Sequence, residues 1–242
     1  MNLVVDMGNT RIKTGVFQGA KLIQERKDQA EADLFQFIKE VSPSAVLVSS
    51  VGVDVTAFVE QIRKNIPVVV LGPTTPIPIK NKYKTPETLG VDRIAGAVGA
   101  KFLFPNKNCL VIDTGTCITY EFIDDEGQYW GGGISPGLRM KVEALHNFTA
   151  KLPFIELEND VPLIGRSTEE SMLSGVVNGT LAEIEEIIRM YKRKFANLQI
   201  VVCGGDSNFF KNKIKTDILI VPDLVLMGLN RILQHNDPKK NQ

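Results

Sequence analysis

One segment of the chain occurs twice. Leu3-Val4-Val5-Asp6-Met7-Gly8-Asn9-Thr10 is matched by Leu110-Val111-Ile112-Asp113-Thr114-Gly115-Thr116-Cys117. In each copy an apolar run ends in an acid, one residue intervenes, and a glycine and a small polar residue follow. A second β-like run succeeds each turn, Ile12–Phe17 and Ile118–Ile123. Short apolar runs bounded by turn residues read as buried strands, and two such runs around a glycine turn read as a hairpin. The repeat predicts two related half-domains, one over 1–105 and one over 106–235, with a polar tail over 236–242.

The rest of each half alternates strand and helix patterns. Leu34, Phe37, Ile38 and Val41 share a helical face within Ala30–Val41, and Pro43 ends it. Ala45–Val51 reads as a strand, Val55–Lys64 as a helix and Pro67–Leu71 as a strand. Gly72–Pro78 is a proline-rich connection. Val91–Phe104 reads as a helix stopped by Pro105. After the repeat, Gly131-Gly132-Gly133 reads as a turn and Leu138–His146 as a helix. The longest helix spans Thr168 to about Lys194, where Thr168-Glu169-Glu170 resembles a cap with acids in the first turn. Its stripe of Leu173, Val176, Val177, Leu181, Ile184 and Ile188 serves the core or a dimer interface. Gln199–Cys203 and Ile218–Val221 close the strand list, and Leu224–Leu233 is a final helix. The fold class is α/β, with mixed sheets flanked by helices and a cleft between the halves.

Composition narrows the function. Lys plus Arg is 28 and Asp plus Glu is 28, so the net charge is zero. Affinity for nucleic acid or an anionic membrane rests on excess basic charge, so neither partner is expected. Cys109, Cys117 and Cys203 show no metal-ligand spacing, and three cysteines make no disulfide framework. No signal-peptide pattern opens the chain and no apolar run reaches the roughly 20 residues of a membrane span. A cytoplasmic location is expected.

The repeated turn has a chemistry of its own. A glycine in a tight turn lets backbone N–H groups approach a phosphate. Asn9 and Thr10 add neutral hydrogen-bonding groups, and Lys13 adds a cation. Asp6, at a strand end, suits a hydrated Mg²⁺. One such turn is equally an ordinary hairpin with a solvated acid. Two of them, one per half, favour a polyphosphate clamp. Neither a G-x-x-x-x-G-K-[ST] loop nor a G-x-G-x-x-G after the first strand is present, which disfavours P-loop and dinucleotide-binding folds.

Five segments in order resemble a known family. They are Asp6-Met7-Gly8-Asn9-Thr10 with Lys13 and Gly15; Gly90-Val91-Asp92-Arg93; Asp113-Thr114-Gly115-Thr116 with Thr119; Gly132-Gly133-Ile134-Ser135-Pro136-Gly137; and Gly204-Gly205-Asp206. The two turns resemble the phosphate loops of the acetate and sugar kinase, heat-shock 70 and actin superfamily. The whole set resembles type III pantothenate kinase. The resemblance implies two actin-like ATPase (ribonuclease H-like) half-domains and phosphorylation of pantothenate by ATP, the first step of coenzyme A synthesis. Cys117 stands where the family usually has Ala, and Glu121 where it often has Asp. Both departures bear on cation coordination rather than on the reaction.

Phosphoryl transfer to a hydroxyl needs charge neutralisation, positioning and a proton acceptor. Asp92, at the mouth of a predicted helix, suits the last role, and Arg93 can pair with a carboxylate or phosphate. The same two residues also suit a helix cap and a surface ion pair. The resemblance implies that Asp92 is the proton acceptor and that Tyr83, Gly90, Val91, Asp92, Arg93 and Thr168 contact pantothenate. It implies that ATP is held by Asp6, Met7, Gly8, Asn9, Thr10, Arg11, Ile12, Lys13 and Thr116, with Mg²⁺. It further implies that Asp113 binds a monovalent cation, K⁺ or NH₄⁺, and that the protein is a homodimer. Two rival readings stand beside it: a kinase of the same superfamily with another small hydroxyl substrate, and a non-catalytic regulatory accessory factor.

Overall fold

A computed structural model describes residues 1–8, 12–27, 31–52 and 54–237. The chain begins with β1 (Asn2–Met7), β2 (Ile12–Gln18), β3 (Lys21–Lys27), α1 (Glu31–Val41), β4 (Ala45–Ser50), α2 (Thr56–Arg63) and β5 (Val68–Val70). It continues with β6 (Lys80–Asn81), α3 (Val91–Leu103), β7 (Asn108–Thr114), β8 (Cys117–Ile123), β9 (Gln128–Pro136) and α4 (Leu138–Asn147). It closes with α5 (Thr168–Leu173), α6 (Gly179–Lys194), β10 (Leu198–Cys203), α7 (Ser207–Phe210), β11 (Leu219–Ile220) and α8 (Leu224–His235). One sheet has the order β3-β2-β1-β4-β5 and the other β11-β10-β7-β8-β9-β6. Both are flanked by helices, as the alternating patterns predict.

Two compact units emerge. The first holds 1–106, 123–131 and the chain from Asp223 onward, and the second holds 107–122 and 132–222. The sequence division at 105/106 is a residue away from the first boundary. The closing helix α8, however, packs with the first unit rather than with the half that precedes it.

In the first unit, β1 pairs antiparallel with β2 and parallel with β4. Strand alternation sends Leu3, Val5 and Met7 to one face, where they pack with Val46, Val48 and the apolar stripes of α1 and α2. The other face carries Asn2, Val4 and Asp6. Asn2 Nδ2 donates to Asn230 Oδ1 of α8 at 3.1 Å, which fixes that face as the one α8 covers. Helices α3 and α8 cross closely on small residues. A Cβ on Gly228 would fall 1.8 Å from the Ala95 carbonyl oxygen, and one on Gly99 would fall 2.5 Å from that of Leu224.

In the second unit, β10 runs parallel to β7 and to β11. Their apolar residues pack against α4, α5 and α6. The predicted Thr168–Lys194 helix is one helical run with a π turn over Ser174–Asn178. Its apolar stripe goes to the core, where Leu173, Val176, Ile184 and Ile188 are buried. The cap is Ser167, whose Oγ accepts from Glu170 N at 3.1 Å; Thr168 is the first helical residue.

The glycine run 131–133 is strand, not turn. It lies within β9, and a Cβ on Gly132 would fall 1.8 Å from the Tyr120 carbonyl oxygen. Glycine here answers a close backbone approach rather than a reversal. No helix among the described residues is long and apolar enough to cross a membrane.

Candidate active site

The β1–β2 register sets the first part of the site. Asp6 stands opposite Lys13 on β2 and opposite Ser49 on β4, and Lys13 stands opposite Lys27 on β3. Residues directly opposite share a face. Ser49, Asp6, Lys13 and Lys27 thus form one polar row across four strands. The Asp6–Lys13 pair lies one register pair, Met7–Ile12, before the turn that the sequence repeat singles out. Asn9, Thr10 and Arg11 of that loop lie outside the described residues. Met7 and Ile12 turn their side chains to the α1–α2 core, so only their backbone is available to a ligand.

Asp6 is half-buried, and one carboxylate oxygen, Oδ1, is itself buried with no hydrogen-bond partner among the described residues. Burial pushes its pKa up to about 6, and the charge of Asp92 adds to the rise. Lys13 and a weaker contact from Ser49 pull the other way. Ser49 Oγ is itself buried without a well-formed hydrogen bond. A buried acceptor left open costs about 1–3 kcal/mol. Such a group is ready for a cation or an ordered water.

Asp92 lies in the first turn of α3, after the N-cap Gly90. Its Oδ1 accepts from the Arg93 backbone N–H at 2.8 Å. A Cβ on Gly90 would fall 2.6 Å from that oxygen, so glycine is what leaves the Asp92 side chain in place. The Arg93 side chain is buried, with its guanidinium 5.6 Å from the Tyr83 ring centroid. Tyr83 in turn rests against Tyr129, centroid to centroid 6.3 Å. Its ring also covers Gly131, where φ is +90° and a Cβ would meet two ring carbons at 2.7 Å. The first unit thus brings Asp6, Lys13 and Asp92 into one electrostatic cluster and joins Arg93 to Tyr83.

The second unit carries the repeated turn. Asp113 stands opposite Cys203 in the β7–β10 ladder. Gly204 follows with φ +91°, and a Cβ there would fall 2.2 Å from Asp113 Oδ1 and 2.3 Å from the Thr114 carbonyl oxygen. The turn itself closes through Gly115 N–H donating to the Cys117 carbonyl at 3.0 Å. Gly137 N–H donates to the Thr116 carbonyl at 3.0 Å, and a Cβ on Gly137 would fall 2.1 Å from the Gly115 carbonyl oxygen. Gly204 therefore brings its backbone against the Asp113 carboxylate and the Thr114 carbonyl, and Gly137 brings its own against the Gly115 and Thr116 carbonyls, while the Thr116 side chain is exposed. Thr168 also belongs to this unit. It borders a cavity of about 730 Å³ lined by Leu145, Leu152, Arg166 and Met172 among others.

Other chemically capable side chains are engaged in the fold. His146 Nδ1 meets the Leu152 carbonyl oxygen at 2.8 Å. Trp130 Nε1 donates to Asp124 Oδ2 at 2.7 Å. Cys109 and Cys203 are buried. Sequence reasoning missed Ser49, whose only signal is its place in the register. It also missed Gly131, Gly137 and Gly204 as covers over Tyr83, the second turn and Asp113.

A family model for type III pantothenate kinase matches residues 2–190. The chain belongs to the type III pantothenate kinase family. The type III pantothenate kinase of Cytophaga hutchinsonii is 42% identical over 98% of this chain and 100% of its own length. That of Bacteroides fragilis is 40% identical over 98% of this chain and 99% of its own. Solved structures place the fold. A Baf family protein of Campylobacter jejuni aligns with a TM-score of 0.64 at 20% identity, covering 97% of this chain and 98% of its own. A ROK family protein of Streptococcus pneumoniae aligns at 0.52 with 12% identity, covering 100% and 99%. The fold is a two-unit α/β architecture with mixed sheets flanked by helices, the fold class that the resemblance implied.

Proposed function

We infer that the protein transfers the γ-phosphoryl group of ATP to pantothenate, giving ADP and 4′-phosphopantothenate, the first step of coenzyme A synthesis. The observation that carries this reading is family membership, at 42% identity over 98% of the chain. The site chemistry supports it. Asp92 projects from the first turn of α3, beside a second carboxylate and a cation, and is assigned as acceptor of the hydroxyl proton. A positioned carboxylate contributes about 10²–10⁴-fold in rate.

Gly90–Arg93, Tyr83 and Thr168 are assigned to pantothenate. The buried Arg93 guanidinium, braced on Tyr83, suits the pantothenate carboxylate. Residues 6–13 and Thr116 are assigned to ATP, with Lys13 supplying charge to the phosphate oxygens. Among the described residues no three His, Cys, Asp or Glu side chains form a metal cluster. ATP-bound Mg²⁺ needs only one or two carboxylates beside phosphate and water oxygens. The open Oδ1 of Asp6 fits that requirement. When bound, Mg²⁺ neutralises phosphate charge; Asp6 is the residue that would hold it. Asp113, with the carbonyls that Gly137 and Gly204 leave uncovered by side chains, fits K⁺ or NH₄⁺. We assign the protein to the cytoplasm as a homodimer. Exposed Phe148, Leu163 and Ile164 supply an apolar surface for the second copy.

The test is ADP release from Mg·ATP with purified protein, with pantothenate or with glucose, in K⁺ and in Na⁺ alone. Pantothenate-dependent turnover is expected, faster in K⁺. Turnover with glucose alone would replace the substrate, and ATP binding without any turnover would replace the enzyme by a regulator.

A further inference from the structure

The second unit carries a charged cluster that the reaction above does not use. Lys141 of α4 and Glu183 of α6 form an ion pair, Nζ to Oε2 at 2.9 Å. The other carboxylate oxygen, Oε1, accepts from Tyr120 Oη of β8 at 3.0 Å. Lys141 Nζ also donates to Thr180 Oγ1 at 2.9 Å, and the Thr180 hydroxyl donates onward to the Val176 carbonyl oxygen at 2.6 Å. Tyr120 and Thr180 are buried, and Leu138, Val142, Val176 and Ile184 belong to the apolar core around them. Both Glu183 oxygens are thus taken by donors from two different elements. Burial opposes the Glu183 charge, yet the hydrogen bonds, that of Lys141 first, outweigh it and hold the carboxyl below the usual range.

The two elements tied to Glu183 are the two that frame the second repeated turn. Thr116 immediately precedes β8, and Tyr120 lies four residues beyond it on that strand. On the other side, Gly137 caps α4 and its N–H donates to the Thr116 carbonyl. Lys141, one helical turn later, donates its N–H to the Gly137 carbonyl at 2.9 Å. One short path therefore runs from Glu183 to Thr116 through the strand and another through the helix. A buried ion pair adds little stability over a well-packed apolar pair of the same volume. What it adds is direction: apolar side chains slide past one another, whereas hydrogen bonds fix distance and angle.

We propose that Glu183 is a positioning residue for ATP: through Tyr120 and Lys141 it fixes the strand and the helix that hold the Thr116 turn. The inference rests on the assignment of Thr116 to ATP. Thr168, assigned to pantothenate in the same unit, begins the helical run that contains Glu183 and lies fifteen residues before it. At 1.5 Å per residue that is roughly 20 Å along the axis. The effect of Glu183 is therefore confined to the nucleotide.

Steady-state kinetics and thermal unfolding of the purified full chain test this. Glu183→Gln keeps the size of the side chain and removes its charge. It is expected to raise the ATP KM about tenfold, with the pantothenate KM within about twofold of wild type. Tyr120→Phe, which loses one of the two paths, raises the ATP KM about threefold. Replacing the ion pair by apolar groups, Glu183→Leu with Lys141→Met, separates positioning from packing. Its thermal midpoint is expected within a few degrees of wild type, and its ATP KM remains raised about tenfold. A wild-type ATP KM in that variant overturns the proposal, because the cluster would then serve the core alone. Equal rises in both KM values in Glu183→Gln overturn it as well.

Thr116→Ala is measured alongside. An unchanged ATP KM there would remove the assignment of Thr116 to ATP, and the positioning role with it. A raised ATP KM in Thr116→Ala with an unchanged one in Glu183→Gln would overturn the positioning role alone. Should Glu183→Gln fail to fold, Tyr120→Phe decides: no rise in its ATP KM overturns the proposal.

Discussion

Asp6 faces Lys13 directly across the β1–β2 ladder, and yet the lysine does not set the protonation of that carboxyl. Burial does, with the Asp92 charge second, and the pKa rises from 3.8 to about 6. The protein thus holds a strained acid at the end of its first strand. Strain of this kind is what a bound cation relieves.

The rise has a consequence for stability. Between pH 4 and 6 the folded chain binds a proton at Asp6 that the unfolded chain has released. Stability from this group is therefore full below about pH 4 and lost as pH rises through 6. Asp6→Asn is expected to stabilise the chain at pH 7.5 by up to about 3 kcal/mol, and not at pH 4. Urea unfolding at the two pH values measures it. An equal effect at both would mean that desolvation of the charged form is not the cause. Turnover falls in the same variant, because the residue assigned to the ATP phosphates is gone.

Asp92→Asn removes the assigned proton acceptor without removing its hydrogen bond to the Arg93 N–H. Turnover is expected to drop about 10²–10⁴-fold. The thermal midpoint stays within a few degrees of wild type, since the half-buried side chain keeps its size and its hydrogen bond to the Arg93 N–H. Wild-type turnover in this variant would take Asp92 out of the chemistry.

Gly131→Ala tests the Tyr83 wall. The position has φ +90°, and the new methyl would stand 2.7 Å from the Tyr83 ring. The backbone penalty alone is about 1–2 kcal/mol. Displacing Tyr83 also frees the Arg93 guanidinium that rests on it. The pantothenate KM should rise about tenfold while the ATP KM holds. Equal changes in both constants would point to a global loss of structure.

Gly204→Ala addresses the cation site proposed at Asp113 in the second unit. Its Cβ would fall 2.2 Å from Asp113 Oδ1, which forces the carboxylate aside. The K⁺ concentration for half-maximal activation should rise about 10–100-fold, the usual cost of disturbing a ligand's support. A K⁺ titration of turnover reads this directly. Unaltered K⁺ dependence would move the cation away from Asp113.

Much of this was legible in order along the chain. The doubled strand–acid–glycine turn predicted β1–β2 and β7–β8 because buried strands and tight turns leave strong local signals. The helix patterns predicted α1, α2, α3, α4 and α8 to within a few residues, because one apolar face per helix is a sequence property. Asp6, Asp92 and Asp113 stood out as candidates because each lies near an element's end, two residues from a glycine. The glycine run 131–133 misled, since glycine serves turns and close backbone approaches alike, and only the Tyr120 carbonyl above Gly132 tells them apart.

What the sequence by itself determined is the set of elements, the two-part plan and the residue types at each turn. These follow from local periodicity and backbone chemistry, and they are written in consecutive residues. Only the tertiary structure decided which unit owns α8, where Asn230 meets Asn2, and that Ser49, Asp6, Lys13 and Lys27 form one row. Those relationships join residues as much as 228 positions apart. They depend on strand register and on which face a helix covers, and both are chosen by the packing of the whole chain.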